Sequence, residues 1–117
     1  MRIEDATSRF GIGLGEVGIL RGLSVDDVPE LEGQLAWTAK NVHLGLEELY
    51  ARNSTFPSIQ FALEQAFSHL QQGFHHFETP FSRSEQGQSI NGLIWMGSKD
   101  FMLDQIQRRL EEGFSTL

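Results

Sequence analysis

The chain has 117 residues, 16 acidic against 9 basic side chains, a formal net charge of −7 and no cysteine. This length accommodates one ordinary domain and falls far short of the roughly 250 residues of a complete (β/α)₈ barrel. The acid excess, with no basic cluster larger than Arg108-Arg109, argues against nucleic acid or an anionic membrane as the main partner, and the missing cysteines exclude a disulfide scaffold, a zinc–cysteine site and a thiol nucleophile.

Glu4 and Asp5 follow Met1-Arg2 almost at once, which leaves no apolar signal-peptide core. The longest run of bulky apolar residues, 93–96, is far shorter than a membrane span of about 20 residues. A cytoplasmic chain is the expectation. Residues 2–20 crowd Gly11, Gly13, Gly15 and Gly18 into one segment. They read as strand, turn, then strand or loop, with Ile3, Phe10 and Ile12 as buried anchors. Ser24, Asp26 and Asp27 then offer capping groups, and Pro29 suits a first helical position after Asp27 or Val28 as cap. Val28, Leu31, Leu35 and Thr38/Ala39 recur at helical spacing, which carries that helix to about Lys40.

Residues 44–51 read as a short second helix with Leu46, Leu49 and Tyr50 inward. Phe56-Pro57-Ser58 opens a third, whose Ile59, Leu63, Ala66, Phe67 and Leu70 make one apolar stripe, with Gly73 as its stop. Residues 74–89 lose all periodicity and exceed the usual loop length, so they predict a passage between two structural units. Residues 90–96 predict a strand that is apolar on both faces, as in a sheet covered on both sides. Ser98 caps a helix over 99–112 with Leu103, Ile106 and Leu110 as its inner stripe and Met102 beside them. Asp100 near its start and Arg108-Arg109 near its end agree with the helix dipole, and Asp104 and Arg108 form an i,i+4 pair worth a few tenths of a kcal/mol. Gly113 ends this helix and 114–117 begins another strand. The result is a βαβ unit with nothing after it to complete a sheet, so truncation is expected.

Several motifs have plainer explanations. Gly13-Leu14-Gly15-Glu16-Val17-Gly18 matches G-x-G-x-x-G, but no helix N-terminus follows to receive a pyrophosphate, so the segment reads as a glycine-rich loop. His75-His76, with His69 and Glu78, match no known ligand spacing, and adjacent histidines point apart in an extended chain. Asp26-Asp27, Glu47-Glu48 and Glu111-Glu112 read as helix-terminal or solvated charges. No serine sits in a nucleophile elbow, and no catalytic constellation assembles from these residues.

Three stretches nevertheless resemble the enolase superfamily, in particular its o-succinylbenzoate synthase branch. Residues 10–24 (Phe-Gly-Ile-Gly-Leu-Gly-Glu-Val-Gly-Ile-Leu-Arg-Gly-Leu-Ser) resemble the "G-x-G-E" strand end and the mobile capping-domain loop that closes over substrate. Residues 56–66, from Phe56-Pro57-Ser58 to Ala66, are similar to the capping-domain helix that enters the barrel. Residues 90–97 (Ile-Asn-Gly-Leu-Ile-Trp-Met-Gly) are similar to the first barrel strand of these synthases. The chain departs from the pattern at 69–73, His-Leu-Gln-Gln-Gly, where the family carries an acidic "D-L-x-G" ending. Its first capping strand is missing or reduced to Arg2-Ile3-Glu4.

The resemblance implies an α+β fold: an enolase-like capping domain over residues 1–80, then the first βα unit of a truncated (β/α) barrel over 81–117. It implies a Mg²⁺-dependent dehydration in menaquinone biosynthesis, acting on a small-molecule carboxylate, with a lysine of a K-x-K motif as base and the metal stabilising an enediolate. Those lysines and the metal ligands lie on later barrel strands. This chain therefore contributes no catalytic residue and no metal ligand, binds no Mg²⁺ by itself, and is expected to be inactive alone. What it contributes by resemblance is substrate contact from the loop residues Ile19, Leu20 and Arg21 and from Asn91 and Trp95 on the first strand. Arg21 suits a substrate carboxylate or a structural salt bridge. A dipeptide epimerase is the related alternative, and a non-catalytic α+β binding module is the alternative from another class. An exposed barrel edge predicts oligomers or aggregation.

Overall fold

The computed structural model describes every residue except His75 and His76. Among the described residues the fold is a small α+β arrangement with one two-stranded antiparallel sheet and four α-helices. The elements are β1 (Arg2–Glu4), β2 (Ile12–Leu14), α1 (Leu31–Lys40), a 3₁₀ turn (Val42–Leu44), α2 (Gly45–Arg52), α3 (Pro57–Gln72) and α4 (Lys99–Glu111). They divide into two units, Met1–His76 and Phe77–Leu117.

In the first unit, β1 and β2 pair with Ile3 opposite Gly13, and successive residues alternate between the two faces. Ile3 and Gly13 face α3 and are buried, so Ile12 faces outward and is 38% exposed. Phe10 is 44% exposed. These two expected anchors therefore lie at the surface, because register hands the inward position to a glycine. That glycine is required by a close approach: a Cβ on Gly13 would lie 2.0 Å from the Ala66 carbonyl oxygen, and one on Gly15 1.8 Å from that of Ala62. The glycine spacing of 13 and 15 thus matches alanines one helical turn apart on α3.

The stripe on α3 forms as the spacing predicts, with Ile59, Ala62, Leu63, Ala66 and Leu70 buried and Gly73 closing the helix at φ +77°. Leu31, Leu49, Ile59 and Leu63 make one cluster, and Ile3, Ala66 and Leu70 a second. Each fully buried Leu or Ile contributes about 1.5–3 kcal/mol. On α2, Leu49 is buried but Tyr50 is exposed, contrary to the sequence expectation. The first helix also starts later than expected, at Leu31, with Val28 and Pro29 in the preceding turn. Neither Asp26 nor Asp27 caps it; both carboxylates are engaged elsewhere.

Asp26 caps α3 from 32 residues away. Its Oδ2 accepts the Ser58 backbone N–H at 2.8 Å and the Ser58 hydroxyl at 2.6 Å. Pro57 holds the first helical position and Phe56 offers no side-chain cap, so the carboxylate supplies the missing acceptor at the positive end of the helix. Burial of Asp26 raises its pKa, but the Ser58 side-chain and backbone hydrogen bonds outweigh that and hold it below the ordinary 3.8. A depressed carboxylate stabilises the fold above its unfolded pKa and loses that contribution as pH falls through the folded value. Asp26→Asn should therefore flatten the loss of stability below about pH 4, read as the midpoint of urea unfolding against pH. Asp26→Ala should cost about 1–2 kcal/mol at neutral pH.

The second unit is organised differently from the expected βαβ. Ser98 caps α4 as expected, accepting the Phe101 N–H at 3.3 Å. Residues 90–96 and 114–117, however, form no strands. One backbone hydrogen bond joins them, from Gly92 N–H to the Thr116 carbonyl at 2.8 Å. One bond does not make a ladder, and no third segment is present in this unit to flank either run. The stripe of α4 also finds no buried core: Leu103 and Leu110 are half exposed, Met102 beside them is 36% exposed, and Ile106 is half-buried. Gly92 is the single buried residue between positions 77 and 117. The ion pair near the helix end is Arg109–Glu112 at 2.6 Å, in place of the expected Asp104–Arg108 pair, which does not form among the described residues.

Candidate functional site

Residues 18–24 leave β2 as a tight loop. The Leu20 carbonyl accepts the N–H groups of Leu23 and Ser24 at 3.0 and 2.9 Å, and the Leu20 N–H donates to Ser24 Oγ at 2.8 Å. Asp27 closes the loop. Its Oδ1 accepts Arg21 Nη1 and its Oδ2 the Gly22 N–H, both at 2.7 Å. The Gly22 amide, then the Arg21 side chain, hold the Asp27 carboxyl below its usual value of 3.8. The loop is thus a structured turn fastened at its tip.

The expected contact residues divide by environment. Ile19 is half-buried and packs on the Leu31, Leu49, Ile59 and Leu63 cluster, which anchors the loop base. Leu20 is 57% exposed. The Arg21 side chain keeps 76% of its surface in solvent despite the ion pair. Asn91 and Trp95 belong to the second unit. Asn91 Nδ2 donates to the Gly92 carbonyl at 3.4 Å. Trp95 is 42% exposed, and its backbone N–H and carbonyl both bond the Gln105 side chain.

Glu16, the acidic end of the "G-x-G-E" stretch, sits where α3 side chains reach the strand. Its N–H donates to Gln65 Oε1 at 3.0 Å, and the Leu14 N–H donates to His69 Nδ1 at 3.4 Å. Gln65 and His69 are one helical turn apart, so they meet alternate N–H groups on the β2 edge turned away from β1. His75 and His76 lie outside the described residues. Among the described residues no three His, Cys, Asp or Glu side chains converge, and Asp26 and Asp27 are spent on Ser58 and Arg21. The Mg²⁺ implied by the resemblance finds no fitting ligand set among them. What the loop offers chemically is recognition: a guanidinium held at one corner beside an exposed leucine suits a carboxylate carried on hydrocarbon.

Sequence reasoning missed Asp27 as the clasp of this loop, because a helix cap was the simpler use of Asp26-Asp27. It also missed Gln65, His69 and Gln105, which bond backbone groups distant in sequence and leave no local signal.

A glycine-paired strand packed on an alanine-bearing helix, followed by a fastened loop, is the α+β architecture on which the matched sequence lies. The o-succinylbenzoate synthase of Desulfotalea psychrophila is 29% identical to this chain over 138 aligned positions. The match takes in 90% of this chain and 38% of that protein. The chain is homologous to part of an o-succinylbenzoate synthase, and spans well under half the length of that relative. The aligned interval exceeds the chain's 117 residues, so the relative carries residues there that this chain lacks. No family model matches the chain, and no solved structure matches it. No helix among the described residues is long and apolar enough to cross a membrane.

Proposed function

We propose that this chain is the lid and barrel-opening portion of an o-succinylbenzoate synthase-like lyase of menaquinone biosynthesis, acting in the cytoplasm. In this reading residues 1–80 are the enolase-like capping domain and residues 81–117 the first βα unit of the barrel. The observation that carries this reading is the 29% identity to the synthase across 90% of the chain. In it, residues 18–23 close over a small carboxylate substrate and exclude water. Ile19 keeps the loop base in the core, Leu20 meets the hydrocarbon part, and Arg21 receives the carboxylate while Asp27 keeps its guanidinium in place. Asn91 and Trp95 are, by the same resemblance, the second unit's own candidates for substrate contact. The lyase chemistry belongs to groups outside these residues, with Mg²⁺ supplied by the rest of such an enzyme.

The purified chain alone is expected to show no synthase turnover. A chimera in which it replaces the matched stretch of the Desulfotalea psychrophila synthase is expected to form o-succinylbenzoate. In that chimera Arg21→Ala should raise KM about tenfold, the loss of one charge-assisted hydrogen bond to substrate, with a smaller change in kcat. A folded chimera that epimerises dipeptides and forms no o-succinylbenzoate would assign the related activity instead. A folded chimera inactive in both assays would favour the binding module. Turnover by the isolated chain would show that the catalytic groups are wrongly placed.

A further inference from the structure

The second unit holds an extended segment, residues 90–97, that carries no charged side chain and no proline. Leu93 and Met96 on it are 60% and 62% exposed. Short uncharged runs of Leu, Ile and Trp in extended form are the kind that pair with copies of themselves through free backbone edges. One edge of this run meets residues 114–117 through the Gly92–Thr116 bond. The other is met by side chains. Gln105 Oε1 accepts the Trp95 N–H and Gln105 Nε2 donates to the Trp95 carbonyl, both at 2.9 Å. A residue on a neighbouring antiparallel strand makes the same two-bond exchange with its own N–H and C=O, and the glutamine amide supplies the same donor and acceptor. One turn further along α4, Arg109 Nε donates to the Leu93 carbonyl at 3.4 Å. Leu93 and Trp95 are two apart and present their backbone groups to the same side, while Gln105 and Arg109 are four apart on one helix face.

We propose that Gln105, assisted by Arg109, is an edge guard for this segment when no barrel strand of the proposed enzyme lies beside it: its amide occupies the strand-partner position at Trp95 and blocks pairing with the same segment of a second copy of this chain. A second copy is the partner because an identical run brings no charge to this uncharged segment, and residues 114–117 already meet its other edge. Alanine has the highest helix propensity, so Gln105→Ala leaves α4 free to form, and Gln105→Glu keeps one acceptor while removing the donor to Trp95. Circular dichroism verifies the helix in both variants.

The test compares Gln105→Ala with Gln107→Ala, which removes a surface glutamine bonded to Glu111. Sedimentation velocity and cross-β dye fluorescence follow assembly, and hydrogen exchange follows the Trp95 amide. Gln105→Ala is expected to expose the Trp95 amide and to assemble at least tenfold faster than wild type or Gln107→Ala, with Gln105→Glu in between. Adding Leu93→Lys is expected to return assembly to the wild-type rate. The proposal is overturned if Gln105→Ala assembles no faster than Gln107→Ala, if Leu93→Lys leaves its assembly unchanged, or if the Trp95 amide exchanges equally fast in wild type.

Discussion

Replacing Gly15 with alanine is expected to destabilise the first unit by about 2–3 kcal/mol, with Gly13→Ala close behind. The added methyl groups would sit 1.8 Å from the Ala62 carbonyl oxygen and 2.0 Å from that of Ala66. Those oxygens belong to the backbone of α3, which cannot swing aside as a long side chain can. The strand must lift off the helix, and lifting it withdraws Ile3 from Ala66 and Leu70. It also weakens the bonds from the Leu14 and Glu16 N–H groups to His69 and Gln65. Gly33→Ala is the opposing control. Gly33 lies inside α1, and a methyl group there would meet nothing within 4 Å, so alanine should stabilise by up to about 1 kcal/mol. Urea unfolding followed by circular dichroism reads both changes. A Gly15→Ala chain as stable as wild type would mean that β2 does not lie on α3. Because only residues 15–17 join this strand to the loop of residues 18–24, the same substitution in the chimeric synthase should lower activity without touching a substrate-facing residue.

Asn53→Ala is expected to cost a similar amount, about 2–3 kcal/mol, for a different reason. Asn53 and Thr38 are fully buried polar residues at the ends of two helices. Asn53 Nδ2 donates to the Leu49 carbonyl at 2.7 Å, and its Oδ1 accepts Gln34 Nε2 at 2.9 Å and Thr38 Oγ1 at 3.1 Å. One amide thus ties α1 to the end of α2. Removing it takes one partner at once from the Leu49 carbonyl, the Gln34 amide and the Thr38 hydroxyl, and hydrogen bonds lost in a buried place are costly. Thr38→Val should cost less, about 1 kcal/mol, because the Thr38 hydroxyl also donates to the Gln34 carbonyl at 2.9 Å and only one proton is lost. In a double-mutant cycle the two substitutions should be non-additive, as expected for residues in one network. Additive losses would show that the two side chains do not share a hydrogen bond.

Legibility followed the range of the forces involved. The stripe of α3, the stop at Gly73 and the Ser98 cap are readable, because each depends on residues within a turn or two of one another. The helix of residues 44–51 is readable too, although its spacing turns Tyr50 to the wrong face. At the candidate site, Ile19, Leu20 and Arg21 are singled out by resemblance. What their sequence neighbourhood does not reveal is that Asp27 fastens the loop, or that Ile19 serves the core. Phe10 and Ile12 mislead for a related reason: an apolar residue near a strand reads as buried until its register is known.

The sequence by itself determined that four helices form, where they stop, and that the chain resembles part of an o-succinylbenzoate synthase. Periodicity and capping are local, and a single chain displays them in full. Only the tertiary structure decided which faces are covered. It put Gly13 and Gly15 against Ala62 and Ala66, sent Asp26 to Ser58 and Asp27 to Arg21, and left residues 90–96 without a sheet. Those outcomes depend on partners 6 to 53 positions away in the chain, and for residues 90–96 on strands that are not in their unit. A strand needs a neighbour's backbone to be a strand, and here the neighbour is the side chain of Gln105.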